Sequence, residues 1–285
     1  MTTNDQKFEK YSEEQKLKVI KEKVLEGREL LKFNDFGIDV LTDQQQKLKQ
    51  PPLVKEKMTE HQIDLPVEFK QLNISTDLLQ VFNQRQSHRV YTKEKMTLLQ
   101  LSYLLWTTQG IKSIRGNNYA TLRTVPSGGA RHEFETYLII KNVEGLKEGA
   151  YHYLPISHQI EFLSSNEDID QKLADALSGQ NWSNAANVVF FWSVIPYRSE
   201  WRYSFFAHRI VLVDIGHVCQ NLYIAAESIG LGTCAIGAFE RLLCDALFGL
   251  DGSEEFTILA SPVGTVSIDD QEKEKDFYAF LKKEQ

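Results

Sequence analysis

The stretch from Arg209 to Ile229, RIVLVDIGHVCQNLYIAAESI, decides the architecture. Val211, Ile215, Val218, Leu222, Ala225 and Ile229 step by four, three, four, three and four residues, the period of one helix face. The other positions include Leu212, Val213, Cys219, Ile224 and Ala226, so the helix is apolar most of the way round. Such a helix is buried on most sides, either at the centre of a core or in a subunit interface. On either side of it lie apolar, β-prone runs, Asn187 to Ile195 and Phe256 to Ala260. Further upstream, Glu135 to Lys141 reads as a buried strand. A turn at Lys147 to Gly149 leads to Ala150 to Leu154, with Gln159 to Leu163 as its pairing partner. Thr97 and Gln100 form a capping-box pattern ahead of Leu98, Leu101, Leu104 and Leu105, with Gly110 as the C-cap. Strands and helices do not alternate regularly, so an α+β fold with a central mixed sheet is expected rather than a doubly wound one.

The chain divides near residue 76. Residues 12 to 33 carry Leu17, Ile20, Val24 and Leu31 at helical spacing in a charged background, a thin stripe that must pack on something larger. Residues 34 to 75, with Pro51-Pro52 and Asp64-Leu65-Pro66, read as an extended arm. Residues 1–75 are thus a helix and arm, and residues 76–285 the main domain.

With 42% hydrophobic residues among 285, the chain can bury a substantial core. Its net charge of -7, from 32 basic and 39 acidic residues without a free-standing basic block, argues against nucleic acid or an anionic membrane as partner. Three cysteines without paired spacing argue against a disulfide framework. The polar first fifteen residues lack the apolar core of a secretory signal, and no apolar run nears a membrane span. These features fit a cytoplasmic location. No HExxH, CxxC, P-loop or GxSxG motif occurs, which leaves metal sites and hydrolases without support.

Four segments offer chemistry. Arg85, Ser87 and Arg89 alternate, so in extended backbone two guanidiniums and a hydroxyl share one face, which suits a phosphate; the competing reading is a solvated basic edge. Pro126-Ser127-Gly128-Gly129 permits unusual backbone angles that bring N–H groups against a ligand, or is a plain turn. Gly230 to Gly237 is not a dinucleotide fingerprint, because it follows a helix, but its small residues can wrap a flat ring. Tyr197 to Tyr203 mixes aromatic and ionic groups, as a pocket lining or as an amphipathic helix start.

Taken in order from about residue 76 to 268, these blocks resemble the nitroreductase superfamily. The likeness is greatest to its branch of SagB/ThcOx-type dehydrogenases, which includes the azoline oxidases of peptide natural-product pathways. It rests on Arg85-x-Ser87-x-Arg89, Trp106-x-x-Gln109-Gly110, Arg123-Thr-Val-Pro-Ser-Gly-Gly-Ala-Arg-His132, Trp201-Arg202-Tyr203, Asp214 to Tyr223, Gly230 to Ala238 and Pro262-Val-Gly264.

The resemblance implies an intertwined homodimer with FMN at the interface. It gives Arg85, Ser87 and Arg89 to the ribityl phosphate and the nearby ring edge. Pro126, Ser127, Gly128 and Gly129 would lie against the flavin, with the backbone of Ala235, Ile236 and Gly237 near flavin N5, where hydride enters or leaves. Arg202 and Tyr203 fall where azoline oxidases carry a catalytic Lys-Tyr pair. Arg cannot shed its proton as Lys can, so Tyr203 is the expected proton-transfer group and Arg202 its electrostatic partner.

The chain departs from the family pattern elsewhere too. Glu133 replaces a Pro, Ser204-Phe205-Phe206 a Gly-x-Arg stretch, and Thr265 a basic residue. Three functions follow: a dehydrogenase acting on a peptide-derived or small heterocyclic substrate; a reductase of nitro compounds or quinones fed by NAD(P)H; or a non-catalytic flavin-binding subunit of a biosynthetic complex with partner proteins.

Overall fold

A computed structural model of the chain describes residues 11–32, 41–165 and 167–267. Helix α1 (Glu13–Leu31) opens with a capping box between Ser12 and Gln15 and buries none of its side chains. Strand β1 (Gln62–Asp64) lies within the arm, and helices α2 (Leu78–Gln84) and α3 (Leu98–Gln109) follow. Thr97 caps α3 as the sequence predicts: its Oγ1 accepts the Gln100 amide at 3.1 Å and its own amide donates to Gln100 Oε1 at 2.9 Å. Gly110 does end α3, but for another reason than a left-handed turn. Its φ is -59°, and a Cβ there would meet the Trp106 carbonyl oxygen at 2.4 Å. Only glycine allows that close approach.

A hairpin comes next, of exposed β2 (Ile111–Arg115) and mostly buried β3 (Ala120–Arg123), which no sequence pattern predicts. After it run β4 (Phe134–Ile140), β5 (Gly149–Leu154), β6 (Gln159–Ser164), α4 (Ile169–Ala176), β7 (Val188–Val194), α5 (Tyr197–Tyr203), α6 (Ala207–Ser228), β8 (Leu231–Thr233), α7 (Arg241–Phe248) and β9 (Phe256–Thr265). The seven-stranded sheet has the order β1-β6-β5-β4-β7-β9-β8. Its ladders are all antiparallel, and among the described residues parallel pairing is confined to the single bridges Ser87–Thr233 and Met96–Val143.

Strands β4 and β7 are buried on both faces, which explains their nearly unbroken apolar sequence. Their side chains alternate between two cores. Leu138, Ile140, Phe190 and Trp192 face the layer that holds α6, whereas Tyr137, Ile139, Val189 and Phe191 face Leu173 of α4 and Phe248 of α7. Helix α6 buries Val211, Ile215, Val218, Leu222 and Ala225 against the sheet. Its opposite face leaves Leu212 49% and Val213 51% exposed.

The arm is built onto this sheet. Strand β1 pairs with β6 at one edge. Lys55 ties the arm to the strands through its amide, which donates to Glu135 Oε1 at 2.9 Å, and its Nζ, which reaches Glu255. The Met58 and Thr59 amides donate to the buried Glu161 carboxylate at 2.8 and 2.7 Å. Glu161 also accepts from His152 Nδ1 at 2.8 Å, while His152 Nε2 faces Glu135 Oε2 at 3.2 Å. No helix among the described residues is long and apolar enough to cross a membrane.

Candidate active site

Two clusters form at the two ends of α6. At its C-terminal end, Tyr223 gathers two of the predicted blocks. Its hydroxyl lies 3.1 Å from Ser87 Oγ and accepts the Ala235 amide at 2.8 Å. The Arg85 guanidinium stacks over the same ring at 5.3 Å, a cation–π contact. The parallel bridge from Ser87 to Thr233, with the His88 amide donating to Thr233 O at 3.0 Å, extends the sheet edge and fixes the segment as extended. Along it Gln86 is exposed and His88 buried, while Arg85, Ser87 and Arg89 are half-buried; Ser87 and Arg85 meet Tyr223, whereas Arg89 lies over the Trp182 ring at 5.9 Å.

The three backbone donors of the third block divide. The Ala235 amide goes to Tyr223 and the Ile236 amide to Ala260 O at 2.8 Å. Gly237 is exposed, and a Cβ there would meet nothing within 4 Å, so its backbone is the approachable one. Thr265, which stands at the basic position of the family pattern, is buried in the fold. Its amide donates to Asn187 Oδ1 at 2.8 Å and its hydroxyl meets Thr92 Oγ1.

At the other end of α6, the loop Pro126 to Gly129 packs against the pair on α5. A Cβ on Gly129 would meet Arg202 Nε and Tyr203 Oη, each at 2.6 Å, and one on Gly128 would meet Ile210 Cγ2 at 2.4 Å. The Gly128 amide donates to Asp214 Oδ2 at 2.7 Å. Gly129, Ala130 and His132 all have positive φ, at 58°, 55° and 48°. Left-handed alanine and histidine in one short loop mark a conformation that its surroundings impose.

Beneath the loop, Glu133 is fully buried. Its Oε2 is 3.4 Å from Ser127 Oγ, which in turn accepts the His132 amide at 2.9 Å, while Oε1 makes no hydrogen bond among the described residues. Burial first, and then the neighbouring Asp214, push the Glu133 carboxyl up to about 7. Burial likewise raises Asp214. Burial, then Arg123, pushes His132 down to about 2, so its ring is neutral.

Helix α5 is anchored through Arg198, whose Nη2 donates to the buried Glu135 on β4. Burial would raise that carboxyl, but Arg198 and His152 outweigh it and hold it below the usual carboxylate range. Ser204, directly after Tyr203, has φ 52° and ψ -139°, a conformation that glycine adopts readily and serine does not. It stands where the family pattern has glycine.

The clusters do not meet within one chain. Asp214 and Tyr223 are nine residues apart on α6, about 14 Å of helix rise. Sequence spacing alone points to no role for Asp214, Tyr223 or Glu133. The signal was present in two of them, since a carboxylate and a phenol inside an otherwise apolar helix need polar partners. No group of three or more His, Cys, Asp or Glu among the described residues could hold a metal ion.

The chain resembles known proteins in sequence and in fold. A family model described as "Nitroreductase family" matches residues 83–265. MJ1384 of Methanocaldococcus jannaschii, a nitroreductase by its description, is 33% identical over 184 residues, 65% of this chain and 88% of its own. The trifolitoxin-processing protein TfxB of Rhizobium leguminosarum bv. trifolii is 27% identical over 54% of this chain, and the microcin B17-processing protein McbC of Escherichia coli 30% identical over 38%. These matches span only 43% and 42% of those two proteins. Among solved structures, a chain of the E. coli microcin synthetase McbBCD complex aligns over 92% of this chain and 97% of its own, with a TM-score of 0.54 and 20% identity. A nitroreductase-type structure from Ralstonia eutropha aligns over 77% and 95%, with a TM-score of 0.59 and 22% identity. The matched region contains every motif block of both clusters together with the strands that carry them, and the chain belongs to the nitroreductase family.

Proposed function

We propose that the chain is an FMN-dependent oxidoreductase that works as a homodimer, with residues 1–75 as a helix and arm and residues 76–285 as the FMN-binding domain. The observation that carries the reading is Gly129 seated within van der Waals reach of Arg202 and Tyr203. It leaves the glycine loop and the candidate catalytic pair as two walls of one site.

The donor set fits FMN. Arg85, Ser87 and Arg89 supply two guanidiniums and a hydroxyl for the phosphate and ring edge. Pro126, Ser127, Gly128 and Gly129 offer a flat wall, and Ala235, Ile236 and Gly237 a backbone edge with Gly237 open. When bound, FMN supplies hydride acceptance and donation at N5. The protein's part is to orient the ring, keep water from it, and hold a proton beside Arg202.

The homodimer is supported by α6. A glycine in mid-helix costs about 1 kcal/mol against alanine, and Gly216 faces open space on the same side as exposed Leu212, Val213 and Gln220. A second copy packed there would account for the glycine and would set one protomer's Tyr223 cluster near the other's glycine loop. A groove beside this face, lined by Phe82, Tyr103, Trp106 and Ile224, continues the apolar surface.

The likeness to TfxB and McbC supports a SagB/ThcOx-type dehydrogenase that acts on a peptide-derived or small heterocyclic substrate alongside partner proteins. The likeness to MJ1384 supports the second reading, an NAD(P)H-dependent nitro or quinone reductase. Both fit a cytoplasmic protein.

The test is an absorbance spectrum before and after anaerobic NADH and NADPH. A flavin band that is released as FMN on denaturation, but that neither nucleotide bleaches, supports the dehydrogenase or the non-catalytic flavin-binding subunit. Bleaching by either nucleotide supports the reductase. No flavin after reconstitution with FMN overturns both. In the same preparation, Gly216→Trp is expected to halve the mass in sedimentation and to release the flavin.

A further inference from the structure

Arg202 lies between two phenols. Its Nε donates to Tyr203 Oη at 3.2 Å and its Nη1 to Tyr119 Oη at 2.6 Å. Tyr119 comes from the turn of the β2–β3 hairpin and is 37% exposed, so solvent and small molecules reach it. Its oxygen also accepts from Gln44 Nε2 at 3.0 Å.

Gln44 belongs to the arm and is itself fixed. Its amide donates to Trp201 O at 2.8 Å and its Oε1 accepts from Arg202 Nη1 at 3.2 Å. The arm around it is strapped over α5 and the hairpin turn. Tyr197 Oη donates to Asp43 Oδ2 at 2.9 Å, Trp201 Nε1 to Leu48 O at 3.0 Å, and Gln50 Nε2 to Asn118 O at 3.2 Å. Arg131 completes the surround, its guanidinium over the Tyr119 ring at 5.1 Å and its Nη2 donating to the Tyr119 carbonyl at 2.8 Å.

Both groups bonded to the Tyr119 oxygen are pure donors. An amide NH2 cannot accept, and a guanidinium stays charged. Among the described residues no acceptor takes the phenolic proton. Both bonds therefore survive ionisation and strengthen with it, because the phenolate is the better acceptor. Tyr203 has one such donor and Tyr119 has two.

We propose that Tyr119 is the proton-holding group of this site, and that Gln44 of the arm, with Arg202, sets its readiness to ionise. This rests on the oxidoreductase reading above. In the dehydrogenase direction a bound flavin would supply the acceptor for a hydride leaving one substrate atom with its electron pair. A proton leaves the adjacent atom for the Tyr119 phenolate, and the bonding pair it leaves behind closes the new double bond. The Gln44 bond, followed by the charges of Arg202 and Arg131, draws Tyr119 below the usual phenol range against the opposing effect of burial. Besides these groups, Tyr203 is the titratable side chain that faces the cluster.

The test is a pH titration of the full chain labelled with 13Cζ-tyrosine and followed by NMR, with Tyr119→Phe to assign the signal. Tyr119 is expected to ionise below the other tyrosines. Gln44→Glu, which sets a carboxylate beside the phenol, is expected to raise its midpoint by one unit or more, and Tyr203→Phe to leave Tyr119 as the first phenol to ionise. If Tyr119 ionises at or above about 10, the ordinary phenol value, or if Tyr203 ionises first, the assignment falls. Flavin content is measured on the same samples. A wild-type chain that binds no FMN defeats the flavin reading, whereas an ordinary Tyr119 in a flavin-loaded chain defeats this assignment alone.

Discussion

Asp214 Oδ2 accepts the Gly128 amide at 2.7 Å, so the long helix holds the glycine loop by a charged hydrogen bond. Hydrogen bonds to charged groups contribute about 1.5–3 kcal/mol, and removal of the acceptor also leaves a half-buried donor unpaired. Asp214→Ala is expected to destabilise the chain by about 2–3 kcal/mol and to weaken FMN binding. Urea unfolding and flavin titration check this. A variant with unchanged flavin affinity would show that the loop's position does not depend on this bond.

Glu133 should make stability fall as pH rises. Its folded pKa of about 7 lies above the ordinary value of 4.5, so the folded state binds the proton more tightly than the unfolded one. The corresponding stability is fully present below pH 4.5 and is lost as pH rises through about 7. Glu133→Gln keeps the shape without the charge. It is expected to stabilise the chain at pH 8 by up to about 3 kcal/mol, from 1.36 kcal/mol per pKa unit, and to do little at pH 5. Melting temperatures of both proteins across that range decide it, a pH-independent difference being the adverse result.

His152 has the same sign with a different cause. Burial alone would lower its pKa, but Glu135 and Glu161, one at each ring nitrogen, raise it overall. Its contribution is fully present below the ordinary value near 6.5 and is lost as pH rises through the higher folded value. His152→Gln is therefore expected to cost most at pH 6 and less at pH 9. The arm should loosen with it, because Glu161 also holds the Met58 and Thr59 amides. Hydrogen exchange at residues 58 and 59 reports that directly.

Ser204 occupies backbone space suited to glycine, at a cost of about 1–3 kcal/mol. Ser204→Gly is expected to raise stability by about 1 kcal/mol or more and to leave Arg202 and Tyr203 in place. A drop in melting temperature would mean that the serine side chain contributes more than its backbone costs.

Periodicity revealed what is buried on a regular lattice. Val188 to Val194 and Phe134 to Ile140 are apolar on both faces, and Val211 to Ile229 repeats every three or four residues, so sheet and central helix were legible. The β2–β3 hairpin was not, because residues such as Lys112, Ser113 and Arg115 lie in solvent and show no pattern. The site was legible as separate blocks. What joins them was not: Tyr223 linking Ser87 to Ala235, or Gln44 reaching Tyr119 across 75 residues, depends on tertiary contacts that no local spacing encodes. Gly110 shows the same limit within a correct boundary, since its cause is the approach of Trp106.

Strand β9 lies between β7 and β8 in the sheet although it is the last strand in the described chain. During synthesis, Val188 to Val194 must therefore wait, with one edge open, until residue 265 has left the ribosome. Only then can β8 dock, and with it the Ser87 bridge. Pairings over such sequence distances are slow to form, because loop-closure entropy is spent before any contact compensates it. The nascent chain thus carries a long, apolar, unpaired strand edge for seconds, which makes it a natural client for chaperones and prone to aggregate when overexpressed.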